Sequence, residues 1–178
     1  MSGDLSAFEP LISPYRLPMI GLAYRITRNS EDAKEVAQET FLRAFKYLKS
    51  FDRAKDFKSW LYQILVRAAR NYRHKQSKYE GLTMSAPVQE MAAAADQDPE
   101  RRRDGEEIRS RLSDCLDTLT PREKEVFLLR DIEEMNIRES ARILKCSAVS
   151  VRVHLSAARR KIRARIKEQH PELLEDGR

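Results

Sequence analysis

The stretch Ile137-Arg138-Glu139-Ser140-Ala141-Arg142-Ile143-Leu144-Lys145-Cys146-Ser147-Ala148-Val149-Ser150-Val151-Arg152-Val153-His154-Leu155-Ser156-Ala157-Ala158-Arg159-Arg160-Lys161 decides the fold class. Ile137, Ala141 and Leu144 recur at helical spacing, and so do Val151, Leu155, Ala158 and Ile162. The break at Cys146-Ser147 separates the two runs, and Ser147 is suited to cap the second helix. Two short apolar stripes joined by a tight turn pack at a steep angle, which is a helix-turn-helix. The outer side of the second helix then carries Ser150, Arg152, Val153, Ser156, Ala157, Arg159 and Arg160, residue types able to meet bases and phosphates in a major groove. From Arg138 to Lys167 there are ten Lys/Arg and one acid, Glu139, so the same face attracts phosphate. His154 contributes at most a phosphate contact. A basic helix face is often merely solvated, but stripe, turn and charge together point to DNA.

Upstream, Ile108, Leu112, Cys115, Leu116 and Leu119 mark a helix that stops before Thr120-Pro121-Arg122-Glu123. In that tetrapeptide Thr120 can cap the N3 amide, Pro121 suits the first helical position, and Glu123 can reach back to the Thr120 amide. The helix it starts runs to about Arg130, and Asp131 to Asn136 form a polar turn. Residues 106–170 make one module, followed by a short tail, 171–178.

Tyr79 to Gly105 has Gly81, Pro87, Pro99 and Gly105, an alanine run from Ala92 to Ala95 and no apolar period, and reads as a flexible linker. A gap this long argues for a separate module over residues 1–78. There Ala33, Val36, Ala37, Phe41, Ala44, Phe45 and Leu48 form one helical stripe, with Ser30 as cap and Glu31 and Asp32 in the first turn. Phe57, Trp60, Leu61, Ile64, Leu65, Ala68, Ala69 and Tyr72 form another, with Asp56 as cap. Ile12, Tyr15, Met19, Leu22, Ala23 and Ile26 suggest a helix before these, made to start late or bend by Pro14 and Pro18. The fold class is all-α: two small helical domains joined by a flexible linker, the C-terminal one a helix-turn-helix.

Composition agrees. Five glycines and a 35% charged content favour helices over sheet. Charge is unevenly spread: residues 1–78 hold fifteen basic and eight acidic side chains, 79–105 three and six, and 106–178 sixteen and fourteen. Two basic modules flanking an acidic segment fit a polyanion partner. No apolar run reaches the roughly 18 residues of a membrane span, and no signal peptide precedes the first module, so a cytoplasmic protein without membrane insertion is expected. Cys115 and Cys146 have no ligand cluster around them and read as buried, reduced thiols. No nucleophile sits beside a base, and no phosphate loop or metal-ligand spacing occurs, so neither enzyme activity nor a cofactor is expected.

Arg67, Arg70, Arg73, His74, Lys75 and Lys78 form a second basic patch, close to Tyr62, which lies off the apolar stripe. Basic and aromatic groups together suit single-stranded DNA, although Phe57 and Trp60 on the stripe read as core. Glu35, Gln38 and Glu39 share a face that, taken alone, reads as solvated surface.

The order of these segments resembles the extracytoplasmic-function sigma factors, bacterial transcription-initiation factors. Ser30 to Phe45 is similar to the region-two helix that docks on RNA polymerase. Trp60-Leu61-Tyr62-Gln63-Ile64 with Arg70-Asn71-Tyr72 resembles the helix that melts and reads the minus-ten element, and Leu119 to Asp131 with the helix-turn-helix resembles the region-four module that reads the minus-thirty-five element. The resemblance implies core polymerase docking through Glu35, Gln38, Glu39 and Leu42. It implies a minus-ten grip by Arg53, Lys55, Lys58, Tyr62, Arg67, Arg70, Asn71, His74 and Lys75, with an extruded base held by the loop Lys49 to Lys58. It implies minus-thirty-five contacts by Arg138, Ser150, Arg152, Val153, Ser156, Ala157, Arg159 and Arg160. The implied partners are core RNA polymerase, promoter DNA in duplex and single-stranded form, and an anti-sigma factor. Departures from the family pattern are Glu35 in place of Asp, Arg67 in place of Asn, Lys145-Cys146 in place of a glycine-containing turn, and small or apolar Val149, Ser156 and Ala157. The competing readings are an autonomous repressor or activator and, more weakly, a structural adaptor; the absence of strand periods in residues 1–78 argues against a receiver domain there.

Overall fold

The computed structural model describes residues 5–80 and 110–169, with side-chain environments from Phe8 to Gln76 and throughout the second stretch. The chain divides into two compact units, 1–91 and 92–178. Among the described residues every regular element is helical.

In the first unit, α1 (Leu5–Ile12) and a single 3-10 turn (Ser13–Tyr15) precede α2 (Arg16–Thr27). The prolines divide what a continuous period would have joined. Pro14 opens the 3-10 turn and Pro18 stands in the first turn of α2, where a missing amide breaks no intrahelical bond. Arg28 ends α2 in the left-handed region, φ 66°, its amide donating to the Tyr24 carbonyl at 2.7 Å. Helix α3 (Ser30–Tyr47) starts at once, and its cap is Asn29 rather than Ser30. The extended Asn29 backbone lets its side-chain oxygen accept from the Glu31 and Asp32 amides at 2.8 and 3.1 Å, which leaves Ser30 buried as the first helical residue. Helix α4 spans Phe57–Glu80, two residues into the segment read as linker; the rest of that segment, Ile108 and the tail lie outside the described residues.

These helices pack pairwise, α2 on α3, α3 on α4 and α2 on α4. Small Ala33, Ala37 and Ala44 let α3 lie close to both neighbours, while Met19, Leu22, Leu61 and Leu65 supply bulk. Full burial of each such large side chain is worth about 1.5–3 kcal/mol. Phe41, Phe45 and Leu48 are only partly buried, and Thr40 takes the inward position, its hydroxyl donating to the Val36 carbonyl at 2.7 Å. Because α4 faces two helices its buried stripe is wide. Tyr62, expected off the stripe, is 1% exposed, and Val66 is buried with it.

In the second unit residues 110–117, here α5, are helical, followed by α6 (Pro121–Phe127). The capping box forms as the sequence suggests: the Thr120 amide donates to Glu123 Oε2 at 2.8 Å and the Glu123 amide to Thr120 Oγ1 at 3.4 Å. A π-helical turn (Leu128–Ile132) carries the helix two residues past Arg130. Helix α7 (Ile137–Leu144) begins with a second capping box, Asn136 with Glu139. It ends on Lys145 at φ 52° and ψ 52°, with the Cys146 amide bonded to the Ala141 carbonyl at 3.0 Å. This closure is usually made by glycine, so Lys145 accepts a left-handed backbone to make it. Helix α8 (Ala148–Gln169) is capped by Ser147, which accepts from the Ser150 amide at 3.0 Å.

Helix α7 meets α6, the π turn and α8. Its inward face therefore centres on Ser140, Ile143 and Leu144, and Ile137 and Ala141 of the expected stripe are only half-buried. Val151, Leu155 and Ala158 of α8 are buried as expected, while Ile162 is half-buried. Cys115 is buried, and burial holds its thiol above the ordinary range. Cys146 lies part-exposed in the turn between α7 and α8, which corrects its reading as a buried thiol.

Candidate functional site

In the first unit a candidate surface lies where α3 and α4 run side by side. One groove is lined by Glu35, Gln38, Glu39, Leu42, Asn71 and Lys75, among others, and a second by Glu39, Leu42, Arg43, Tyr47, Ile64 and Arg67. Leu42, 58% exposed, belongs to both and forms the apolar ridge between them. Spacings of three and four put Glu35, Gln38, Glu39 and Leu42 on one α3 face. Glu39 is not an isolated charge, since Arg43 one turn on pairs with it. Tyr72 also lines the first groove, and its hydroxyl donates to Asp32 Oδ1 at 2.7 Å, tying α4 to the start of α3. Burial, then this bond, pushes the Tyr72 phenol above its ordinary range.

Arg67, Asn71 and Lys75 occur here at four-residue spacing on α4, against the α3 face rather than on a separate surface. His74 is exposed and Arg70 half-buried on the same helix. Arg53 and Lys55 stand in the loop before α4, and Lys58 in its first turn. Two aspartates shape that loop. Asp52 accepts from the Ala54 amide at 3.0 Å and pairs with Lys55 at 3.3 Å, and Asp56 accepts from the Ser59 amide at 2.6 Å to cap α4. The Ala54 amide, then Lys55, hold the Asp52 carboxyl below its usual range. Phe51, Phe57 and Trp60 meet in one half-exposed cluster beside the loop, with ring centroids 4.7–5.6 Å apart, and Tyr15 joins through Phe57 at 5.9 Å. The aromatic surface near the loop is therefore this cluster. Tyr62 lies in the core with Lys58 Nζ 5.7 Å from its ring centre, so it offers no stacking face in this conformation.

In the second unit the outer face of α8 presents Val149, Arg152, Val153, Ser156 and Arg160, all exposed, with Ser150 and Ala157 half-buried and Arg138 exposed on α7. Two expected contacts are already engaged within the protein. Arg159 donates to both oxygens of Asp131, at 2.8 and 2.6 Å, which pins α8 to the π turn and raises the guanidinium pKa. The Ser150 hydroxyl is shared with Ser147 at 3.0 Å. Further ties fix the two helices: Lys161 Nζ reaches Glu123 Oε2 at 2.7 Å, and Arg122 donates to the Leu144 carbonyl at 2.9 Å, satisfying the end of α7. Burial alone would raise the Glu123 pKa, but bonds from Lys161 and Thr120 outweigh it and lower it.

Sigma-70 region 2 matches residues 11–79, and Sigma-70 region 4 matches residues 109–162. The chain is an extracytoplasmic-function sigma factor. It is similar to the extracytoplasmic-function sigma-E factor of Haemophilus influenzae, 29% identical over 92% of this chain and 89% of that protein. It is also similar to the factor SigW of Bacillus subtilis, 27% identical over 93% and 92%, and to the sigma-H factor of Pseudomonas aeruginosa, 26% identical over 90% and 86%. The fold recurs in the sigma factor RpoE of Bartonella quintana, solved with the anti-sigma factor NepR, at a TM-score of 0.73 and 16% identity over 93% of this chain and all of that one. It recurs in CnrH, solved with the cytosolic domain of CnrY, at 0.71 and 24% over 94% and 92%. The family is one of transcription-initiation factors rather than enzymes.

The regions that match the family are those that carry this sigma factor's two candidate surfaces. Its sequence did not reveal the Asp131–Arg159 clamp, the Tyr72–Asp32 tie or the aromatic cluster, because each joins residues from different turns or helices. No helix among the described residues is long and apolar enough to cross a membrane.

Proposed function

We propose that this sigma factor docks on core RNA polymerase through the α3 face of Glu35, Gln38, Glu39 and Leu42, and that its two units then hold two promoter elements. The observation that carries the docking assignment is Leu42: an exposed apolar side chain flanked by acidic and polar groups, shared by two grooves. Such a ridge suits a basic helical partner surface, with Leu42 buried on contact and the acids at the rim. Arg67, Asn71 and Lys75 adjoin that face, so polymerase and minus-ten strand meet along one seam. Arg53, Lys55 and Lys58, with Arg70 and His74, track the opened strand, and the Phe51, Phe57 and Trp60 cluster supports the loop that holds the extruded base. Catalysis stays with the polymerase.

In the second unit α8 enters the major groove of the minus-thirty-five element, with Arg138 and Arg160 on phosphates. Within the two compact units the working modules are residues 1–78 and 106–170, with 79–105 as the linker between them, and the protein acts in the cytoplasm. An anti-sigma factor that covers the α3 face is the regulatory partner; a similar fold, RpoE of Bartonella quintana, solved with the anti-sigma factor NepR, supports this reading.

The docking assignment is tested by Glu35→Lys with Glu39→Lys. Core affinity falls at least tenfold while circular dichroism is unchanged; undiminished core affinity sinks it.

A further inference from the structure

Most of the α8 outer face is polar, yet Val149 and Val153 are 64% and 60% exposed, and they are the exposed large hydrophobic side chains among the described residues of the second unit. They stand four residues apart, on one face, in the first two turns of the helix that enters the groove. Nothing in the fold asks for them there. β-Branched residues are poorer helix formers than Ala, Lys or Glu, and an exposed pair disfavours solubility. Basic side chains ring them: Arg152 between them, Arg160 and Arg163 along the same side, and Arg138 on α7, all exposed.

The polar groups free to read bases beside them are few. Ser150 is bonded to Ser147, and Arg159 is clamped by Asp131. Arg152 and the half-buried His154 remain in these two turns, with Ser156 just beyond them. A cationic surface with an apolar pair at the N-terminal end of a groove-entering helix matches one feature of duplex DNA: the thymine C5-methyl, the apolar group a base pair offers in the major groove.

We infer that Val149 and Val153 are specificity determinants that recognise thymine methyl groups in the upstream promoter element, with Arg152 between them supplying hydrogen bonds to a purine edge. The inference rests on the reading of α8 as the groove-entering helix. Four residues rise about 6 Å along a helix, and base pairs stack about 3.4 Å apart, so the two methyls lie about two base-pair steps apart or closer. A buried methyl–isopropyl contact is worth about three- to fivefold in affinity.

The test uses core polymerase with the full-length chain. Promoter sequences are first selected from a library randomised through the upstream element. Each thymine of the selected element is then replaced singly by deoxyuridine, which removes the methyl and keeps the base pair. One or two replacements weaken holoenzyme binding about three- to fivefold, and the corresponding Val149→Ala or Val153→Ala variant binds the thymine and deoxyuridine forms equally. A selected element without thymine, indifference to every replacement, or losses that persist in both variants overturns the inference and leaves the sigma reading intact. Failure to select any sequence with core present overturns that reading, and the inference with it. Both valines are exposed, so the variants keep the fold, and circular dichroism verifies it.

Discussion

Glu123 is the node through which the second unit holds α8 in place. Its carboxylate accepts from the Thr120 amide at 2.8 Å and from Lys161 Nζ at 2.7 Å, so one side chain closes the start of α6 and ties it to α8. Glu123→Ala removes both arms. Loss of half a capping box is worth about 1 kcal/mol. The pair to Lys161, whose side chain is 36% exposed, is discounted for solvent to about 1 kcal/mol. The sum is about 2 kcal/mol. Glu123→Gln keeps an acceptor for the amide and loses the charge, costing about 1 kcal/mol. Urea denaturation followed by hydrogen exchange at α6 and α8 amides reads this unit separately from the first. The pH dependence has a fixed sign. The folded carboxyl is held below the ordinary glutamate value, so its stabilisation is complete above about pH 4.3 and is lost as pH falls through the folded value. The difference between wild type and Glu123→Gln therefore narrows below about pH 4.3. Additive effects of Glu123→Gln and Lys161→Met, or a gap that stays constant down to pH 2, would refute this account of the node.

Three further outcomes follow from the same geometry. Asp131→Ala and Arg159→Ala each destabilise the second unit by about 0.5–1 kcal/mol, and the double variant is no worse than either alone; full additivity in the same exchange experiment would show that the clamp contributes nothing. Tyr72→Phe costs the first unit about 1–2 kcal/mol, because Asp32 loses its donor while its other oxygen is buried without one; an unchanged urea midpoint contradicts this. With a thiol reagent under native conditions Cys146 reacts readily and Cys115 only after unfolding, since one is part-exposed and the other buried with a raised pKa; equal rates by mass spectrometry go against the assigned burial.

The helical periods were legible because each is written within one short segment: α4 and α8 could be drawn from their apolar spacing, and the Thr120–Glu123 box and Ser147 cap from four residues each. What failed was set by neighbours. Tyr62 was placed on the surface because a single-partner helix needs only a narrow stripe, whereas α4 packs on two helices and buries a wider one. Asn29 displaced Ser30 as cap because a left-handed Arg28 presents Asn29 extended, a backbone fact that composition does not carry. The pairing of Arg159 with Asp131 escaped a local reading of α8 because the partner lies 28 residues earlier. The Glu35, Gln38, Glu39 and Leu42 face was visible as a face, but its significance came from resemblance, and its ridge-and-groove shape from the α4 residues beside it.

The central claim is that this chain acts as a dissociable polymerase subunit. Its most direct test is transcription by purified core polymerase from a selected promoter, with and without the protein. The account predicts specific transcripts only when the protein is present, and none with the Glu35→Lys, Glu39→Lys variant. Transcripts that do not depend on the protein, together with tight operator binding by the free chain, would contradict it.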